Sequence, residues 1–304
     1  MTEGAWLYDS LSNTLKHFKK PSCITLQETK LKSQNIKIPG YQVFFKNREN
    51  AGGGGLITAI DENLASIQVS SSEKDILVIQ VSVGGYDIRV INGYGPQEAN
   101  NHSEKQSVYE FWQEIENHVN HAFEDKCLVI MQLDANAKLG TQLFSKDPHN
   151  MSENGLLLSE MANRQNLHIL NTDELCMGAI TRHRKTIAGE EKSIIDYILV
   201  CDGLRTHFEY MIIDEDRTHV LSKYCTRRGI RSEIESDHNV QFAKFTVKYQ
   251  EIRCKTIREI FNFKNTECQQ KFFEVTENSS KLVLAKVEIL QDSEWNIPPM
   301  SSEN

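Results

Sequence analysis

The chain has 304 residues and a formal net charge of -8. A chain of this length buries a full core and suits one large domain with an appendage rather than two equal domains. It contains no apolar run long enough to span a bilayer, and its start, MTEGAWLYDS, lacks the basic flank and small-residue cleavage site of a secretory signal; no membrane association and an intracellular, nuclear or cytoplasmic, location are expected. The seven cysteines are odd in number, widely spaced and without any C-x-x-C pair, which predicts reduced, mostly buried thiols and argues against a zinc site. The acidic balance argues at first sight against a nucleic-acid partner, yet whole-chain charge is a weak guide where acidic metal ligands coexist with short basic clusters. Three clusters stand out: Lys16 with Lys19 and Lys20, Arg182-His183-Arg184-Lys185, and Arg227-Arg228-Gly229-Ile230-Arg231. Taken alone, each reads as a solvated loop or face.

Leu7, Leu11, Leu15 and Phe18 fall on one helical face, and Pro21 ends that helix before a short apolar strand, Cys23 to Leu26. Gly52 to Gly55 precede a strand, Leu-Ile-Thr-Ala-Ile, and with no Lys-Ser/Thr following they are not a phosphate cradle. Ile76 to Val83 and Tyr86 to Ile91 flank Gly84-Gly85 and form a hairpin. Ser103-x-x-Gln106 has the form of a capping box; it opens a helix burying Val108, Phe111, Trp112, Ile115, Val119 and Ala122. His118 and His121 beside Glu114 read as a solvated face of that helix rather than as a metal site. The helix leads into the strand Cys127 to Leu133. A second helix, Asn154 to Gln165, buries Leu157, Leu158, Met161 and Ala162, and strands follow at His168 to Leu170, Ile194 to Val200, Tyr210 to Ile213 and Val240 to Val247. Strands with helices between them predict a β-sandwich covered by helices. Beyond about residue 250 the composition changes: three short helical segments, within 254–263, 267–276 and 281–290, precede a disordered end.

Chemistry in layered α/β folds is placed where strands stop and loops begin. Glu28 follows the first strand, and Tyr94 closes another in Asn92-Gly93-Tyr94-Gly95-Pro96. Asp134 and Asn136, two apart in extended chain, would point the same way. Asp196 starts a strand, and Ser236-Asp237-His238-Asn239 sets an acid and an imidazole side by side before the last one. An acid at one strand end is usually a turn or cap residue; five polar groups at the ends of apolar strands fit one chemistry. Hydrolysing a phosphodiester without a covalent intermediate needs a divalent cation on the phosphate, a group to orient and deprotonate water, and donors facing the developing charge. Hard oxygen ligands such as Glu28 and Asp237 select Mg²⁺, or Mn²⁺, over Zn²⁺. Asp134 would hold the attacking water, with Asn136 fixing its neighbour. His238 would stabilise charge or donate a proton if Asp196 grips its other ring nitrogen, and Tyr94 would hydrogen-bond a phosphate oxygen.

LQET, NGYGP, LDAN, IDYIL and SDHN, in this order and spacing over roughly residues 22 to 248, resemble the motif series of the endonuclease/exonuclease/phosphatase superfamily. Within it, QETKL, GGGGLITAI, INGYGPQ and SIIDYILV are most similar to the endonuclease domain of non-LTR (LINE-type) retrotransposons, and REIFNFKNTECQQKFFE is similar to the segment that joins such a domain to a reverse transcriptase. The resemblance implies a DNase-I-like, four-layer αββα sandwich over residues 1–250 with a linker-like tail over 251–304, and DNA as partner. It also implies an Mg²⁺-dependent nicking reaction that leaves a 3′-hydroxyl able to prime synthesis by a reverse transcriptase, which this sequence does not contain. Carried over residue by residue, Glu28 matches the metal-binding glutamate and Tyr94 the phosphate-contacting tyrosine. Asp134 with Asn136 matches the G-D-x-N pair, Asp237 with His238 the terminal S-D-H, Asp196 the aspartate that orients the histidine, and Thr181 a substrate-contacting threonine. The same placement turns Arg182 and Arg184 into expected contacts of the DNA backbone.

Two departures stand out. The G-D-x-N glycine is displaced, the segment reading Gln132-Leu133-Asp134-Ala135-Asn136. Family members also begin with a strand ending in an asparagine and a turn, of which Gly4 would be the remnant here, so the first strand is expected to be missing. Each buried donor or acceptor so unpaired costs about 1–3 kcal/mol. Two alternatives therefore stand beside the nuclease: an inactive remnant that at most binds DNA or protein, and a phosphatase of the same fold acting on a small phosphorylated molecule.

Overall fold

The computed structural model describes residues 20–29, 36–47, 55–72, 74–99, 101–187, 189–227 and 230–247. The expected helix over Leu7 to Phe18, Gly4 and the tail segments lie outside these residues.

Strands β1 (Cys23–Leu26), β2 (Tyr41–Lys46) and β3 (Leu56–Asp61) form one antiparallel sheet in the order β1-β3-β2. A six-stranded sheet is built from β4 (Ala65–Ser71), β5 (Ile76–Val83), β6 (Tyr86–Tyr94), β7 (Leu128–Asp134), β8 (Leu167–Ile169) and β12 (Asp196–Cys201), in the order β4-β5-β6-β7-β12-β8. A third sheet holds β9 (Cys176–Met177), β13 (Phe208–Ile213) and β16 (Gln241–Phe245), in the order β16-β13-β9. Two hairpins stand apart, β10 (Arg182–Thr186) with β11 (Gly189–Ser193) and β14 (Ser222–Arg227) with β15 (Ile230–Glu235). Helices α1 (His102–Glu124) and α3 (Glu153–Arg164) pack on each other and on β7 and β8, and β2 and β3 pack on β4, β5 and β6. The remaining described α-helices, α2 (Gly140–Leu143) and α4 (Asp202–Arg205), are single turns.

Local chemistry accounts for the elements. Gly84 and Gly85 both take positive φ, 61° and 86°, the geometry that a two-residue turn needs to match strand twist. The six apolar residues expected along α1 are all buried. Its start lies two residues upstream of the expected box: Asn101 is the cap, its Oδ1 accepting from the Glu104 amide at 3.0 Å while its Nδ2 donates to the Glu104 carboxylate at 2.8 Å. An asparagine competes well with serine for that position, so Asn-x-x-Glu wins over Ser-x-x-Gln. His118 is not on a solvated face; its ring is largely covered and lies 3.5 Å from Glu114. The parallel pair β6–β7 is joined through α1, the crossover that parallel strands require. Cys127, Cys176 and Cys201 are buried free thiols.

The basic run expected as a loop is strand β10, paired residue for residue with the equally polar β11. Neither carries the apolar alternation that marks a strand in sequence. Just ahead of it, Thr181 is 0% exposed, and its hydroxyl accepts the amides of Ile195 at 3.0 Å and Asp196 at 3.1 Å. A wholly buried hydroxyl spent on two backbone donors does not reach substrate; Thr181 fixes the start of β12 instead. Buried Asn171 completes the hold, donating to the Asp196 carbonyl and accepting from the Ile198 amide, each at 3.0 Å. Thr181→Val keeps the shape and orphans two buried donors, at about 1–3 kcal/mol each. Its melting temperature is expected below that of the parent, with Thr181→Ser restoring most of the loss; an unchanged Val variant in calorimetry would refute this role.

Candidate active site

Three strand ends meet in one row. In the register of the six-stranded sheet, Tyr94 at the end of β6 lies opposite Asp134 at the end of β7, and Asp134 lies opposite Asp196 at the start of β12. Side chains opposite one another on neighbouring strands share a face. Glu28 follows β1 in the left-handed region at φ 50° and accepts a hydrogen bond from the Tyr94 hydroxyl at 2.6 Å. Burial, together with the Glu28 carboxylate, pushes the Tyr94 phenol well up, so it stays protonated and donates.

His238 arrives from the loop ahead of β16. Its Nδ1 lies 3.0 and 3.1 Å from the two Asp196 oxygens, and its Nε2 lies 3.9 Å from Asp134 Oδ2 and 4.0 Å from Asp237 Oδ1. Burial by itself would lower the imidazole's affinity for a proton; the facing carboxylates of Asp196, Asp134 and Asp237 more than reverse this and push its pKa up to about 10. Asp134 is 3% exposed, and burial, then repulsion from Asp196, drives its carboxyl above the ordinary range. Asp237, by contrast, is held below that range: burial would raise it, but His238 and the Arg182 guanidinium, whose Nε is 2.9 Å away, prevail.

Asn136 reaches the site by a route different from the one expected. It lies beyond β7 and takes φ 47°, a left-handed turn that asparagine tolerates. The turn, not strand alternation, sets its amide to donate to the Gly95 carbonyl at 2.8 Å, while its backbone N–H approaches Asp134 Oδ1 at 3.4 Å. Gly95 must be a glycine, since a Cβ there would lie 2.7 Å from the Ala135 carbonyl oxygen. The bulkier Gln132-Leu133 in place of the glycine of G-D-x-N leaves both polar groups in position.

Glu28, Tyr94, Asp134, Asn136, Asp237 and His238 line one cavity of about 310 Å³, with Arg182 and Arg184 on its wall. Asp196 stands behind His238, and Thr181 lies in the scaffold. Gln97 and Ile195 also line the cavity and were not expected there; Gln97 follows the Tyr94 motif directly, and that adjacency was the available signal. Ligand atoms of Asp134, Asp196 and His238 lie within 4.8 Å of one another. Both Asp196 oxygens are turned to the imidazole, so this trio is an ion-paired unit in its own right. The hard oxygens of Glu28, Asp134 and Asp237, gathered on a cavity where burial leaves a carboxylate poorly compensated, suit a hard divalent cation.

No protein-family model matches the chain, and no curated protein does. Solved structures do. The endonuclease domain of TRAS1, a telomere-specific non-LTR retrotransposon, aligns over 79% of this chain and 93% of its own, with a TM-score of 0.55 and 17% identity. The 3′ phosphatase NExo from Neisseria, bound to a product DNA hairpin, aligns over 80% and 96%, at 0.57 and 17%. The catalytic domain of APE2 from Xenopus laevis aligns over 80% and 89%, also at 0.57 and 17%. With helices packed on one sheet and further sheets on its strands, the chain has the DNase-I-like fold that these solved structures share.

Proposed function

We propose that the chain is a metal-dependent phosphodiesterase that nicks DNA, in the manner of a retrotransposon endonuclease. The observation that carries this reading is Asp134 and an imidazolium held by Asp196 on one cavity with Glu28, Tyr94 and two arginines. The fold likeness to nucleases and to an enzyme bound to DNA supports it. Work on DNA goes with an intracellular, nuclear or cytoplasmic, place.

Glu28 and Asp237 would hold Mg²⁺, or Mn²⁺ in its stead; the ion would supply Lewis acidity and neutralise phosphate charge. Asp134, raised out of the usual carboxylate range, takes a proton from the attacking water. The water oxygen joins phosphorus, the bond from phosphorus to the 3′-oxygen breaks, and the 3′-oxygen takes up a proton from solvent. His238 directs its Nε2 proton at the charge growing on the phosphoryl oxygens, Asp196 holding the other nitrogen. Tyr94 offers a neutral donor, and Asn136 fixes the turn beside the water. In an element that also encodes a reverse transcriptase, the 3′-hydroxyl would prime synthesis.

Incubation with supercoiled plasmid and Mg²⁺ should give nicked circles, and a chelator should stop it. Asp134→Ala and His238→Ala should each lower the rate by roughly 10²–10⁴-fold, the worth of a positioned acid or base. A folded parent that leaves the plasmid supercoiled would refute the reading. Because Asp134 must be ionised to act, single-turnover rates should rise with pH around a midpoint above the ordinary aspartate value of about 4; a midpoint at or below it would remove Asp134 from the role of base. Arg184 is exposed at the cavity wall. Arg184→Ala should weaken DNA binding at every sequence and reduce the slope of log K against log salt by about one, as loss of one phosphate contact requires. An unaltered slope by titration would take Arg184 off the DNA.

A further inference from the structure

Asn154, in the first turn of α3, is 1% exposed and does not line the cavity, yet it touches both of the loops that carry Tyr94 and Asp134 to it. Its Nδ2 donates to the Pro96 carbonyl at 2.9 Å and to the Asn136 carbonyl at 3.2 Å, while its Oδ1 accepts from Trp112 Nε1 of α1 at 3.1 Å. Chemistry fixes the orientation of this amide: an indole N–H only donates and a carbonyl only accepts, so the reverse setting would make all three contacts repulsive. Pro96 lies between Gly95 and Gln97 in the Tyr94 loop, and Asn136 forms the left-handed turn of the Asp134 loop. The two loops are thus tied twice, at the cavity by the Asn136 side chain on the Gly95 carbonyl at 2.8 Å, and outside it by Asn154.

The start of α3 is itself clamped to the chain beyond Asn136. The Lys138 amide donates to Ser152 Oγ and the Ser152 amide to the Lys138 carbonyl, each at 3.0 Å, and a Cβ at Gly155 would fall 1.8 Å from that carbonyl oxygen. The Ala137 carbonyl accepts from the Tyr197 hydroxyl at 3.1 Å. Three successive carbonyls after Ala135 therefore have three different donors, and the donor on Asn136 is the one shared with the Tyr94 loop. A residue other than glycine keeps a left-handed backbone where its surroundings over-determine it, and these bonds supply that.

We propose that Asn154 is a positioning residue of the candidate active site: its carboxamide sets the separation of the Tyr94 and Asp134 loops and refers it to the α1–α3 helix pair. A displacement of about 1 Å among reacting groups can cost roughly 10²-fold in rate, so a fixed separation has a use there. A buried amide whose polar groups are all paired is rigid enough to hold it. An apolar side chain of the same size would fill the space and leave the indole and both carbonyls without a partner. The effect on the loops follows from the hydrogen bonds alone, whereas the effect on rate rests on the proposed nuclease reading.

The test uses the full chain with two substitutions. Asn154→Asp keeps the shape and the acceptor for Trp112 but sets an oxygen against two carbonyls; Trp112→Phe removes the indole donor and leaves both loop contacts. Hydrogen exchange followed by mass spectrometry should show segments containing Tyr94 to Gln97 and Asp134 to Lys138 exchanging roughly tenfold faster or more in Asn154→Asp, with β5 unchanged, and staying within about twofold of the parent in Trp112→Phe. In plasmid nicking with Mg²⁺, Asn154→Asp should lower the rate at saturating DNA by roughly tenfold or more, with the half-saturating DNA concentration within about threefold of the parent's. Trp112→Phe should melt at a lower temperature and nick at the parent's rate; a loss of stability alone would move both variants together. If Asn154→Asp does not fold, Trp112→Phe/Asn154→Leu, which leaves no helix-side group unpaired, replaces it and is compared with Trp112→Phe. Loops that exchange no faster than in Trp112→Phe overturn the proposal. So does an Asn154 variant that nicks as fast as an active parent, a result that leaves the nuclease standing. Loosened loops in a chain whose parent does not nick support the hold of Asn154 on the loops and count against the nuclease.

Discussion

Two buried carboxylates, Asp134 and Asp196, stand side by side at one end of the six-stranded sheet only because an imidazolium stands against both. Burying a lone charge costs several kcal/mol, and a second like charge beside it costs more. His238 offsets that cost, and the loop carrying it is tied down accordingly. Its backbone N–H meets the Ser236 hydroxyl at 3.1 Å, Asn239 bonds the carbonyls of Thr181 and Ile180 at 2.7 and 2.8 Å, and Arg217 reaches the Asp237 carbonyl at 3.3 Å. Each residue of the S-D-H-N run thus has a task, and the ring of His238 is the one that faces both acids.

The site was legible in the sequence to the degree that strand ends were. Apolar runs such as Cys127 to Leu133 mark their own boundaries, and the polar residues just beyond that one, Asp134 and Asn136, line the cavity. What could not be read depended on tertiary register. Nothing local tells Thr181 from a substrate ligand; only the arrival of the Ile195 and Asp196 amides at its hydroxyl does so. β4 leaves Ile67 and Val69 on the surface, 44% and 43% exposed, so its alternation does not mark a buried face. The hairpin β10–β11 is built of polar and charged residues held by backbone pairing and polar side-chain contacts such as His183 with Glu190, the case in which hydropathy carries no information. The helix start at Asn101 shows the complementary failure: two overlapping cap sequences were present, and the choice between them depends on which amide the chain presents.

A negative chain need not repel an anionic polymer if its charges are sorted. Here each acid at the site has a cation or a donor beside it: Asp196 and Asp134 have His238, Asp237 has Arg182, and Glu28 has the Tyr94 hydroxyl. In the proposed function Arg184 at the rim would meet an incoming phosphate, and the rest of the acidic surface, at a Debye length of about 8 Å in physiological salt, would be screened from the contact.

The hairpin also has a mechanical side. A two-stranded ribbon is marginal by itself, and this one is anchored at its base, where Arg182 bridges to His238 and the His183 amide donates to the Asp237 carbonyl at 2.7 Å. At the opposite end Ile187 projects wholly into solvent. Such a ribbon is a cantilever whose fixed end is the loop that carries His238. Under the proposed function a load at its tip, as from a bent duplex, would arrive as torque on the ring that Asp196 holds, so the shape of what is grasped and the alignment of the imidazole would share one beam.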